Sequence, residues 1–273
     1  MADAGTSSAH SIPAVVRLGE MPLPTFGKTR ALASAVAAAP VRAATQPKAV
    51  RNIVLVHGAF SDGSTWQDII PLLQCRGYNV TAVQNSLTSL ADDVAATRRV
   101  LLRQEGSVLL VGHSWAGAVV TEAGNAENVK GLVYLSALVP DAGESVSEML
   151  QKQNVSMGAL APDHEGFVWL DDPKTYTHVM ADDVPASRIA VLAATQQPIS
   201  AKVFSEPITT AAWSTKPSWY LVTERDNALP THVQQWLAQH IGATTTAINS
   251  GHMSMISHPE AVADLIARAA QQL

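Results

Sequence analysis

Ser107-Val108-Leu109-Leu110-Val111-Gly112-His113-Ser114-Trp115-Ala116-Gly117 sets the fold class and the chemistry of this chain together. The apolar run Val108 to Val111 is short and unbroken, which suits a strand buried on both faces of a parallel sheet. Small residues then bracket one serine, with Gly112 before it and Ala116 and Gly117 after it. A strand that turns sharply into a helix at Ser114 forces that residue into a strained backbone conformation, and only small neighbours leave room for it. Such a turn pushes the hydroxyl out at the carboxyl edge of the sheet and sets the next backbone N–H beside it. Acyl transfer needs this pairing of a nucleophile with an oxyanion donor. The pentapeptide alone also fits an ordinary strand-to-helix turn, and Ala116 stands where glycine is usual, so the rest of the chain must supply the context.

That chain has 273 residues, of which 47% are apolar and 15% charged, enough for one domain with a large core or for one domain carrying an insertion. Its net charge is −5 and its lysines and arginines are not clustered, which argues against nucleic acid or an anionic membrane as the main partner. No stretch approaches the roughly 20 apolar residues needed to span a bilayer. Cys75 is the only cysteine, so no intrachain disulfide can form. Its place in an expected helix reads as that of a small buried apolar residue. Without a Cys/His cluster at ligand spacing, neither a metal site nor a cofactor is expected.

Residues 1–50 differ from the rest and read as a leader or a disordered extension. Lys28 and Arg30 precede an alanine-rich run at 31–44 that faintly resembles an export signal, with Met21 as an alternative start. The run is poor in leucine and contains Pro40, so a cytoplasmic protein is preferred and export stays open.

From Asn52 onward, apolar strand-like runs alternate with helical patterns. Strands are expected at 53–56, 80–83, 108–111, 131–138, 219–223 and 244–248, and helices at about 64–75, 90–104, 115–126, 230–241 and 259–272. This alternation predicts an α/β fold with a parallel sheet covered on both faces, whose sites lie at the carboxyl ends of its strands. Residues 141–212 break the pattern, because prolines at 162, 173, 185, 198 and 207 cut the segment into short pieces. The division expected is therefore a core of 51–140 and 213–273 with a cap inserted at 141–212. Met149, Met157, Phe167, Trp169 and Met180 are candidates for an apolar pocket beneath that cap, together with Phe60 from the core. Packing of the cap onto the core is the competing role for each cap residue.

A serine hydroxyl needs a base to take its proton, and nine histidines compete for that role. His10 lies in the leader, His164 and His178 in the expected cap, and His232 and His240 on a helix where solvated positions are expected. His113 is expected to point away along the turn, His57 to brace the turn after the first strand, and His258 to start the last helix. His252 stands in Asn249-Ser250-Gly251-His252-Met253, directly after the last expected strand and so on the catalytic edge. The base in turn needs a carboxylate to fix its tautomer. Asp226 follows the strand ending at Thr223 and is preferred, with Glu224 and Asp141 as rivals. The N–H groups of Ala59 and Trp115 are the expected oxyanion couple, since Gly58 permits a tight turn after the first strand.

In the chain order Ser114, Asp226, His252, these pieces resemble the α/β-hydrolase superfamily over about 51–273. His57-Gly58-Ala59-Phe60-Ser61-Asp62-Gly63-Ser64-Thr65-Trp66, Gly112 to Gly117 and Gly251-His252-Met253 are most similar to the small serine esterases related to plant methyl-ester hydrolases and hydroxynitrile lyases. The resemblance implies an α/β-hydrolase fold, with a mostly parallel doubly wound sheet and an inserted helical cap. It also implies cofactor-free hydrolysis of small to medium apolar carboxylic esters through an acyl-enzyme. Serine at 114 argues against the haloalkane dehalogenase branch, which has an aspartate there. The lyases commonly carry a threonine in the place of Gly58 and a lysine after the catalytic histidine, so Gly58 and Met253 point to hydrolysis. A lyase or cofactor-free peroxidase on the same triad, and a non-catalytic ligand-binding receptor, stay open. The expected partner is a small-molecule ester, and a homodimer is left open.

Overall fold

The computed structural model describes residues 50–155 and 161–273, all within one compact unit, Thr45–Leu273. Six strands build the main sheet: β1 (Asn52–Val56), β2 (Asn79–Val83), β3 (Val108–His113), β4 (Val129–Leu135), β7 (Ser218–Thr223) and β8 (Thr244–Ile248). They run parallel in the order β2-β1-β3-β4-β7-β8. Every residue of β1 and of β3 is buried, whereas the edge strand β8 is largely exposed. The unbroken apolar runs of the middle strands and the threonines of Thr244–Thr246 follow from those positions.

The helices are α1 (Ile69–Gln74), α2 (Leu90–Leu101), α3 (Ala116–Ala123), α4 (Val146–Lys152), α5 (Pro173–Met180), α6 (Ala186–Thr195), α7 (Thr231–His240), α8 (Ser254–Ser257) and α9 (Pro259–Gln271). The chain steps from β1 to β2 in one direction and from β3 to β4 in the other. Right-handed crossovers therefore put α1 and α3 on opposite faces. In agreement, α1 packs on α9 and α2 packs on α3. The order reverses between β1 and β3, and the loops leaving their carboxyl ends diverge there to open a crevice.

Among the described residues, the segment between β4 and β7 adds no strand to the main sheet. It holds α4, α5, α6 and an antiparallel pair of two-residue strands, β5 (Phe167–Val168) and β6 (Ile199–Ser200). Ser145 opens α4 with a reciprocal capping box to Glu148, and Asp172 caps α5 just before Pro173.

Three local expectations are corrected. The helix expected at 64–75 is a 3-10 turn, Gly63–Trp66, followed by the short α1, because Pro71 has no N–H to donate and fits only within a first turn. Cys75 ends α1 and is exposed rather than buried. The strand expected to reach 138 stops at Leu135, where Ser136 adopts φ +43° and turns the chain away. Among the described residues no helix is long and apolar enough to cross a membrane, and no three His, Cys, Asp or Glu side chains are placed to hold a metal. The expected leader, 1–50, lies outside the described residues except for Val50.

Candidate active site

The loop at the end of β3 carries Ser114 at φ +54°, in the left-handed region that costs a residue with a Cβ about 1–2 kcal/mol. Its N–H donates to the Leu135 carbonyl at 3.1 Å, and its own carbonyl accepts from Gly117 N–H at 2.9 Å and Leu138 N–H at 3.1 Å. These bonds at the end of β4 hold the strained residue in place. The small neighbours are a packing necessity. A Cβ on Gly112 would lie 2.8 Å from the Ala116 carbonyl, and one on Gly117 would run into the backbone of Leu138.

Asp226 follows β7, two strands from β3 in the sheet, and His252 follows β8, three strands away. His252 Nδ1 lies 2.8 Å from Asp226 Oδ2, and the two side chains are 1% and 0% exposed. The same Oδ2 accepts from Thr223 Oγ1 at 2.7 Å and Gln234 Nε2 at 2.9 Å, while Oδ1 accepts from the N–H groups of Ala228 and Leu229 at 2.8 Å each. Burial pushes the Asp226 carboxyl up, but the charge and hydrogen bond of His252, with the bonds from Leu229 and Thr223, outweigh it. The group is held below the usual carboxylate range. An ionised carboxylate only accepts, so Nδ1 of His252 carries a proton, and whenever the ring is neutral its lone pair is on Nε2. That Nε2 is buried and makes no hydrogen bond, to Ser114 or to any other described residue.

Ser114 and His252 line the same cavity, of about 530 Å³. Ala59, Phe60, Trp115, Leu138, Leu150, Val179, Met180, Phe204 and Leu229 supply most of its wall, with Ser147 and Asn227 as polar additions. None of its described lining residues is Asp, Glu, Lys or Arg. The N–H groups of Ala59 and Trp115 find no acceptor among the described residues. The Trp115 side chain is anchored, since its indole Nε1 donates at 2.9 Å to Asp93, a carboxyl pushed up by its burial. A separate cleft lined by Asp141, Glu144, Glu148 and Lys152 holds none of these residues.

The structure therefore brings together Ser114, Asp226, His252, Ala59, Trp115, Phe60 and Met180. It does not bring Trp169 to the cavity. That side chain is 43% exposed, and its indole N–H, which needs an acceptor, finds Asp163 Oδ2 at 3.0 Å on the surface. Met149 is buried and Phe167 half-buried, both away from the cavity wall, and Met157 lies outside the described residues. The rivals also separate. Asp141 meets His240 Nε2 at 2.8 Å instead of His252. His57 braces its turn, with Nδ1–H donating to the Gly58 carbonyl and Nε2 accepting from Asn85 N–H, each at 2.9 Å.

Two supports of the dyad escape the sequence reading. Gln234 sits among the buried Val233 and Leu237 on the inward face of α7, and a polar residue in that apolar stripe was the available signal. His113 turns into the core, where its Nε2–H donates to the His252 carbonyl at 2.9 Å and the two rings lie 4.6 Å apart.

A family model described as the alpha/beta hydrolase family matches residues 53–265. The chain belongs to the α/β hydrolase family. Among related hydrolases, an alpha/beta hydrolase of Aspergillus novofumigatus is 28% identical over 244 residues, covering 80% of this chain and 96% of its own. Polyneuridine aldehyde esterase of Rauvolfia serpentina is 23% identical over 258 residues, or 81% of this chain and 96% of its own. Among solved hydrolase structures, a pyrethroid hydrolase from Sphingobium faniae superposes with a TM-score of 0.71 at 23% identity, covering 81% of this chain and 97% of its own. At that identity the likeness establishes the shared fold.

Proposed function

We propose that this hydrolase cleaves small to medium, neutral, apolar carboxylic esters through an acyl-enzyme on Ser114. The observation that carries the proposal is the buried His252–Asp226 pair, which leaves Nε2 of His252 unpartnered on a residue that lines the same cavity as Ser114. In the reaction, Nε2 of His252 takes the Ser114 proton as Oγ attacks the ester carbonyl carbon. The oxyanion accepts from the N–H groups of Ala59 and Trp115. Collapse of the tetrahedral adduct breaks the carbon–alcohol oxygen bond, and the His252 imidazolium gives its proton to the departing alcohol. Water then enters and loses a proton to His252 as its oxygen attacks the acyl carbon. The bond to Ser114 Oγ breaks, Oγ takes back the proton from His252, and the carboxylic acid leaves. Asp226 fixes the tautomer and offsets the imidazolium charge throughout.

Substrate class follows from the wall of the cavity. A charged acyl or alcohol group would be buried there without a described partner, at a cost of several kcal/mol. Esterase names among the relatives support the same reading. The test is a series of p-nitrophenyl and methyl esters of graded length, run beside Ser114→Ala. Turnover of apolar esters that vanishes in the variant is the expected result, and near-normal turnover by Ser114→Ala overturns the proposal.

A further inference from the structure

Asp183 stands in the turn between α5 and α6, yet its side chain is only 7% exposed. Its Oδ2 accepts from the Ser250 hydroxyl at 2.9 Å and from the Gly251 N–H at 2.8 Å, the two residues that precede His252. Arg225 Nη2 and His258 Nδ1 each lie 3.8 Å from the same oxygen, and Oδ1 is buried without a partner. Burial pushes this carboxyl up, but the bonds from Gly251 and Ser250 outweigh it and hold it below the usual range. Gly251 has no room for a side chain here, because a Cβ would strike Asp182 Oδ1 and lie 2.9 Å from Asp183 Oδ1.

The neighbouring loop is tied to the same place. Asn227, next to Asp226, donates through Nδ2 to the His178 carbonyl at 2.9 Å. The segment 178–183, the end of α5 and the turn after it, thus grips the loop that carries the carboxylate and the loop that carries the base. Between those two grips, Val179 and Met180 face the cavity. A buried carboxylate is costly unless its bonds are well made, and these bonds are spent on backbone and hydroxyl groups beside His252.

We propose that Asp183 is a positioning residue for His252, clamping Ser250 and Gly251 so that seating of the 178–183 segment aligns the imidazole between Asp226 and Ser114. This rests on the serine-hydrolase reading above. Displacing a catalytic group by about 1 Å can cost about 100-fold in turnover without altering how substrate binds.

The experiment measures kcat and KM of the full chain on p-nitrophenyl butyrate for wild type, Asp183→Asn, Ser250→Ala and the double variant, normalised to phosphonate-titrated sites, with Ser114→Ala compared per mole of total protein. The expected result is a fall in kcat of about 10-fold or more for Asp183→Asn with KM within about threefold. Ser250→Ala falls in the same direction by about threefold or more, and the double variant is no worse than Asp183→Asn, as residues sharing one interaction are non-additive. A residue that only stabilised the fold would lower the melting temperature and leave kcat per titrated site unchanged, which overturns the proposal. If Asp183→Asn does not fold, Ser250→Ala decides: unchanged kcat overturns, reduced kcat at constant KM supports. Retained turnover in Ser114→Ala overturns the hydrolase reading instead.

Discussion

His252 gives its Nδ1–H to Oδ2 of Asp226 across 2.8 Å, and both side chains are shut away from solvent. Four further donors converge on that carboxylate: Thr223, Gln234, Ala228 and Leu229. Every acceptor site of Asp226 that the fold can reach is filled, so the imidazole has one orientation open to it.

Replacing Asp226 by Asn puts an N–H₂ among groups that already donate. The amide must turn an N–H toward some of them, and the imidazole loses the acceptor that fixes its tautomer. Turnover in Asp226→Asn is expected to fall by about 10⁴ with the fold intact. Steady-state kinetics with a far-UV spectrum checks this, and a loss of less than about tenfold contradicts it.

Gly58 lies against the strained serine. A Cβ there would stand 2.8 Å from Ser114 Cβ and 2.9 Å from the His113 carbonyl, neither of which can swing away. Gly58→Ala is expected to cost about 1–3 kcal/mol of stability by overpacking and to reduce turnover as Ser114 is displaced. Urea unfolding and kinetics on the same sample measure both, and an unchanged unfolding midpoint would contradict the close approach.

Stability should fall with acid well before the carboxylates titrate. Burial holds His57 below its ordinary pKa of 6.5, against the bond to Gly58 and the charge of Asp62. Burial and then the neighbouring His252 hold His113 well below it. In the unfolded chain both histidines take up protons as the pH drops through about 6.5, while the folded protein leaves them neutral. The unfolded state binds more protons in that window, so stability is full above it and declines below it. The slope is up to about 1.4 kcal/mol per pH unit for each histidine. Asp93, whose carboxyl is raised by burial, opposes this only near the carboxylate range. Chemical denaturation at pH 7.5 and 5.5 checks the sign, and equal stabilities would contradict it.

The cavity wall sets a charge rule. An acyl chain ending in a carboxylate should be turned over at least about 100-fold less efficiently than its neutral counterpart, because no described lining residue offers it a cation. Comparing kcat/KM for p-nitrophenyl hemisuccinate and p-nitrophenyl butyrate tests this. Values within about tenfold of each other would contradict it.

The sheet was legible because its middle strands are buried on both faces and announce themselves as apolar runs. The triad candidates were legible for a related reason, since a parallel sheet gathers its strand ends at one rim. Ser114, Asp226 and His252 each follow a strand. The cavity wall was not legible in the same way. Residues 141–212 lack a period, so nothing local separated Met180, which faces the cavity, from Trp169, which turns to Asp163 on the surface. Phe204 went unnoticed because its role comes from meeting Trp115 edge-on at 5.5 Å, a contact between distant parts of the chain. Asp183 was invisible for the same reason, its partners being 67 and 68 residues away.

The central claim is that the imidazole of His252 activates the Ser114 hydroxyl, and an active-site phosphonate reads that activation directly. Exposure of the full chain to a fluorophosphonate, followed by peptide mass mapping, should give one adduct, on Ser114, formed at least about 10³-fold more slowly in His252→Ala. An adduct on another residue, or Ser114 labelled equally fast without His252, would contradict it.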